Sequence, residues 1–149
     1  MLVESKWYAI RATMSPIHNR LCIIGEADPF LTRLVKRMAE KSGFRTKRSQ
    51  TGEAILNLVH TEQPVLIVLE PDLPGKVRGW EVVLALRNND ENSQIAMILF
   101  SWLKKDDVEA LVGNEIIYLP KPDLNFEDFS NALVLAGIQT PPAGNHKVD

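Results

Sequence analysis

Short apolar runs bounded by turn residues alternate along this chain with stretches whose apolar positions recur every three or four residues. Residues 21–25 read as a buried strand. Asp28-Pro29 then opens a helix, with aspartate as N-cap and proline at the first helical position. Leu31, Leu34, Val35 and Met38 give that helix an inward stripe at i, i+3, i+4, i+7, and Ser42-Gly43 ends it. Residues 44–49 form a second strand bearing Arg45, Lys47 and Arg48, read as an edge-strand defence against aggregation in preference to a nucleic-acid patch.

The alternation continues to the far end. Thr51-Gly52-Glu53 starts a second helix with Ala54, Ile55, Leu58 and Val59 inward. Residues 65–69 (Val-Leu-Ile-Val-Leu) form a continuous apolar run, the mark of a strand buried on both faces. A third helix follows Gly79, with Trp80, Val83 and Leu84 on one face. Residues 95–100 make a fourth strand that ends at Ser101, 106–112 a short helix, and 116–119 a fifth strand before Lys121-Pro122. The last helix spans 126–136, with Phe126, Phe129, Leu133 and Ala136 spaced for burial. Five strands alternating with five helices predict right-handed βαβ crossovers and a doubly wound parallel α/β sheet. This places the domain at 20–138, behind an extension at 1–19 and ahead of a disordered tail at 139–149. In the extension, Trp7-Tyr8-Ala9-Ile10 is either a patch that docks on the domain or a neighbouring subunit, or part of a frayed end.

Composition narrows the function. The 149 residues are 45% hydrophobic and 24% charged, enough for one globular domain with a real core. A net charge of −2, from 17 basic and 19 acidic residues, gives no general attraction to nucleic acid or to anionic membrane. Cys22 is the single cysteine, which excludes an intrachain disulfide and a thiolate metal cluster and leaves a small buried apolar role. No run approaches the roughly 18–20 apolar residues of a membrane span, and the N-terminus lacks a signal-peptide core. The expected compartment is the cytoplasm.

Glu70 ends the 65–69 run and begins the turn Pro71-Asp72-Leu73-Pro74-Gly75. Ligands of open α/β sheets bind at the carboxyl ends of the strands, so an acid there is a site candidate. Together with Glu26-Ala27 after the first strand, Ser101 after the fourth and Lys121-Pro122 after the fifth, it makes a constellation in which order, spacing and strand-end placement agree. Over about residues 20–138 the chain resembles a receiver domain of a bacterial two-component response regulator, of the CheY-like, flavodoxin-like fold. The resemblance implies strand order 2-1-3-4-5. It implies an acidic pair that holds Mg2+ after strand 1, a phosphorylated aspartate at the position of Glu70, switch residues at Ser101 and Tyr118, and a phosphate-binding lysine at Lys121.

Four departures from that pattern change the expectation. Glu70 is longer than aspartate by one methylene, about 1.5 Å, and near-attack geometry tolerates such a shift badly. Its carboxylate is therefore either a partial imitation of the phosphorylated form, near Ser101 and Lys121, or a neutral relic. Ala27 replaces a metal-holding acid, so a Mg2+ site built from Glu26, Glu70 and Asp72 is weak or lost, and no cofactor is expected. Trp102 either narrows access to the acids or points outward as a partner surface. Lys76-Val77-Arg78 lengthen the turn before Gly79. For Lys121 the expected role is a salt bridge to Glu70 or Glu26, and Tyr118 is either a switch or a half-buried core aromatic.

The reading that follows is a non-enzymatic pseudo-receiver: a signalling module that binds a histidine kinase or a downstream effector, independent of phosphorylation, with a homodimer open. The competing enzymatic reading is a competent receiver that phosphorylates itself on Glu70 or Asp72 with Mg2+. A flavodoxin-like cofactor binder is disfavoured because Gly25-Glu26-Ala27-Asp28 sets two carboxylates where a phosphate loop needs N–H groups. Nucleic-acid and membrane partners are not expected.

Overall fold

A computed structural model describes residues 20–139. The expected extension at 1–19 and the expected tail beyond residue 139 lie outside the described residues. The strands are β1 (Arg20–Gly25), β2 (Phe44–Ser49), β3 (Leu66–Leu69), β4 (Ala96–Ser101) and β5 (Tyr118–Pro120). The helices are α1 (Pro29–Lys41), α2 (Gly52–Glu62), α3 (Gly79–Arg87), α4 (Lys105–Val112) and α5 (Phe126–Leu135). All neighbouring strands are parallel and the order is β2-β1-β3-β4-β5, as the strand–helix alternation predicts.

The strands' two-residue period divides the core into two layers. Cys22, Ile24, Leu66, Val68, Ile98 and Phe100 face α1 and α5, where they meet Val35, Met38, Phe129 and Leu133. Leu21, Ile23, Ile67, Leu69 and Leu99 face α2, α3 and α4, where they meet Ile55, Val82, Val83 and Val108. Each large side chain buried this way contributes about 1.5–3 kcal/mol. Burial also pushes the Cys22 thiol up, in keeping with an inert core role.

The helix signals act as read. Asp28 Oδ1 accepts from the N–H groups of Phe30 at 2.7 Å and Leu31 at 3.1 Å, with Pro29 at the first position of α1. Such a cap is worth about 1 kcal/mol. At the other end, Arg20 donates to the Gln139 carbonyl at 2.6 Å and ties the start of β1 to the chain after α5.

Several boundaries move. Val65 belongs to the apolar run yet is 40% exposed; its backbone joins the ladder, to Leu21 and from Ala96, but the buried strand starts at Leu66. The fifth strand is three residues and lies later than 116–119, since an edge position needs pairing only to β4. The inward face of α3 is Val82, Val83 and Leu86, whereas Trp80 and Leu84 are only half-buried. In a nine-residue helix this rich in apolar side chains, more than one stripe satisfies the period, and contact with α2 and α4 decides.

Candidate functional site

Four polar side chains converge, buried, at the carboxyl edge of the sheet: Glu26, Glu70, Ser101 and Lys121. Glu26 follows β1, and its backbone N–H is tied to the Ser49 carbonyl of β2 at 3.1 Å. Glu70 follows β3, with its N–H on the Gly25 carbonyl at 2.9 Å. Ser101 closes β4, and Lys121 opens the 3-10 turn Lys121–Asp123 after β5. The sheet order itself brings together residues that are distant in sequence.

Lys121 Nζ lies 2.6 Å from Glu26 Oε1 and 2.8 Å from Glu70 Oε1. Nζ also lies 5.0 Å from the centre of the Phe100 ring. Burial pulls the Lys121 ammonium down, but hydrogen bonds and charge from Glu26 and Glu70 outweigh it, so the group is held above its usual value of 10.5. Each carboxylate's second oxygen is used locally. Glu26 Oε2 accepts from the Asp28 N–H at 2.9 Å, and Glu70 Oε2 from the Asp72 N–H at 2.8 Å.

Glu70 Oε2 also accepts from the Ser101 hydroxyl at 2.8 Å. Ser101 Oγ in turn accepts from the Leu103 N–H at 3.0 Å. The Tyr118 hydroxyl donates to the Leu103 carbonyl and lies 3.4 Å from that of Ser101. A continuous run of hydrogen bonds thus connects the carboxylate of Glu70 to the ring of Tyr118 through the loop after β4. Burial first, and the negative charge of Glu70 second, hold the Tyr118 phenol above its ordinary value.

Gly79 sets the turn against the site. A Cβ there would stand 2.1 Å from the Glu70 carbonyl oxygen, so only glycine allows the first turn of α3 to lie on this backbone. The extra residues before Gly79 are clamped down. Glu53 accepts from the N–H groups of Lys76 at 3.4 Å and Val77 at 3.3 Å, while Arg78 reaches the Leu73 carbonyl at 3.2 Å and pairs with Asp72 Oδ1 at 2.5 Å.

Comparison with known proteins accords with this architecture. No family model matches the chain. The polar-differentiation response regulator DivK of Brucella anthropi is 30% identical over 102 residues, which cover 67% of this chain and 82% of that protein. DivK of Brucella ovis is 29% identical over the same length. This chain belongs to the response regulator receiver family. Among solved structures, the bacteriophytochrome response regulator AtBRR superposes with a TM-score of 0.72 at 20% identity, covering 83% of this chain and 96% of that one. The Mn(2+)-bound form of response regulator Rcp1 gives 0.64 at 21% identity, covering 83% and 100%. The chemotaxis protein CheY4 of Vibrio cholerae gives 0.66 at 17% identity, covering 78% and 98%. The fold is thus the CheY-like receiver fold, and the family is one of two-component signalling modules whose work is contact with other signalling proteins.

A hard divalent ion needs several oxygen ligands, and the donor set does not fit one. The Oε1 atoms of Glu26 and Glu70 both face Lys121, Ala27 carries no side-chain oxygen, and the Asp72 side chain is 62% exposed against Arg78. Among the described residues no three His, Cys, Asp or Glu side chains form a metal-holding group. Of the expected metal set, Glu26 and Glu70 come together and Asp72 does not: a turn residue has no periodicity to aim it, and Arg78 draws it outward. Trp102 is 66% exposed, so its indole is not buried among the acids. Leu103, Glu53, Arg78 and the Phe100 ring also build the site; their parts rest on main-chain groups and loop contacts that carry no sequence signal.

Proposed function

We propose that this receiver works without an aspartyl-phosphate cycle, its switch held by the carboxylate of Glu70. The observation that carries this reading is the position of that carboxylate: 2.8 Å from Ser101 Oγ and 2.8 Å from Lys121 Nζ, the two groups that hold the phosphoryl oxygens in the receivers this chain resembles. A fixed negative charge there draws the loop after β4 toward the site, and through Ser101 and Leu103 it fixes Tyr118. The ammonium of Lys121 pairs with both Glu26 and Glu70. Its output is binding: a non-enzymatic cytoplasmic module that docks on a histidine kinase or a downstream effector. No helix among the described residues is long and apolar enough to cross a membrane.

The test is incubation of the protein with Mg2+ and acetyl phosphate or phosphoramidate, followed by intact mass, beside a receiver that does label. The expected result is no added phosphoryl group. A hydroxylamine-labile gain would instead make it a competent receiver with Glu70 or Asp72 as acceptor.

A further inference from the structure

The charge of this chain is unevenly placed. Residues 33–48 hold seven of its 17 basic residues and one of its 19 acidic ones, Glu40, leaving ten bases against eighteen acids elsewhere. On α1, the inward positions are Leu31, Val35, Met38 and Ala39, so Phe30, Arg33, Lys36 and Arg37 lie on the outer side. All four are exposed, and Phe30 is 65% exposed. Phe44 of β2 packs in the core layer beneath α1, so by the two-residue period Arg48 projects on the same side of the sheet. Among the described residues, the side chains of Arg33, Lys36, Arg37 and Arg48 have no hydrogen bond, ion pair or ring contact. Glu40 is within reach along the helix and pairs with none of them.

This arrangement works against the isolated domain. Arg33 and Arg37 are like charges at i, i+4, a spacing that weakens a helix, and an exposed phenylalanine gains nothing in water. Both features favour association. We propose that the outer face of α1, Phe30 with Arg33, Lys36 and Arg37 and joined by Arg48, docks an acidic protein segment that carries an apolar side chain. Arginine and aromatic side chains are what anchor such interfaces, with Phe30 as the apolar contact and the guanidinium groups pairing with carboxylates. From Phe30 to Arg37 the face extends only about 11 Å along the helix. A nucleic acid tracking beyond it would meet a body of net negative charge, which favours a short acidic segment over a polyanionic strand. The inference is independent of how Glu70 sets the switch.

The test is fluorescence anisotropy of a short labelled peptide, glutamate-rich with leucine every third or fourth position, titrated with the full chain. Expected are saturable binding that weakens with salt, and a Kd raised about tenfold or more by R33E/R37E and measurably by Phe30→Ser. K104E/K105E, an equal charge change on the opposite side of the sheet, is expected to leave Kd within about twofold. Circular dichroism checks that the variants are folded. Absence of binding by the wild type, equal weakening by both charge variants, or tighter binding to a DNA duplex or to phosphatidylserine vesicles than to the peptide would overturn the proposal.

Discussion

Lys121 Nζ and Glu26 Oε1 lie 2.6 Å apart, with side chains only 4% and 6% exposed. Glu70, at 2.8 Å, completes a buried triad in which one ammonium faces two carboxylates. Lys121→Met leaves both carboxylates buried and without their counter-charge. It is expected to lower stability by about 3–5 kcal/mol at neutral pH, read by urea denaturation. Lys121 is raised above 10.5, so its contribution is complete below that value and is lost as pH rises through the folded-state one. The two proteins are expected to converge at the alkaline limit.

The phenol of Tyr118 reports the charge of Glu70. Burial and that charge both hold it above 10.0, so Glu70→Gln, which removes the second cause, is expected to lower it. Ultraviolet difference titration of the phenolate, in a Tyr8→Phe background, reads the shift directly. An unchanged midpoint would mean that Tyr118 does not sense the carboxylate, and the proposed switch would lose its support.

Restoring the family's acids tests the proposal that Ala27 and Glu70 keep this chain out of the aspartyl-phosphate cycle. A27D/E70D supplies two carboxylates of the usual length, and E70D supplies one. Calorimetry is expected to show Mg2+ binding in the double variant and little or none in E70D or the wild type. Acyl phosphate formation, read by intact mass, is expected to follow the same order.

Glu53 holds the enlarged turn. Its own N–H first, then those of Val77 and Lys76, keep its carboxyl below the usual 4.5. The tether is therefore complete above that value and is lost as pH falls through the depressed one. Glu53→Gln is expected to speed hydrogen exchange at the amides of Lys76 and Val77 at neutral pH, with little change at β1 or β3.

The elements that sequence makes legible are those whose signal is local. Asp28-Pro29 marks the start of α1 because cap and first turn are neighbours, and the run before Glu70 marks a strand end because both faces of β3 are buried. Glu26, Glu70, Ser101 and Lys121 are readable as one cluster because parallel topology carries every strand end to the same edge. Where several local solutions exist, sequence does not choose. Val65 is as apolar as Leu66 but stands at the rim, and α3 turns Val82 inward in place of Trp80. The least legible parts are those made by main-chain groups: Leu103 between Ser101 and Tyr118, and the amides that Glu53 holds.

A carboxylate built into the chain has no half-life. On the proposed reading, nothing at Glu70 is hydrolysed to end the signal, and no phosphatase can shorten it. The strength of the output then follows the number of molecules present, so synthesis and proteolysis of the protein become its on and off steps.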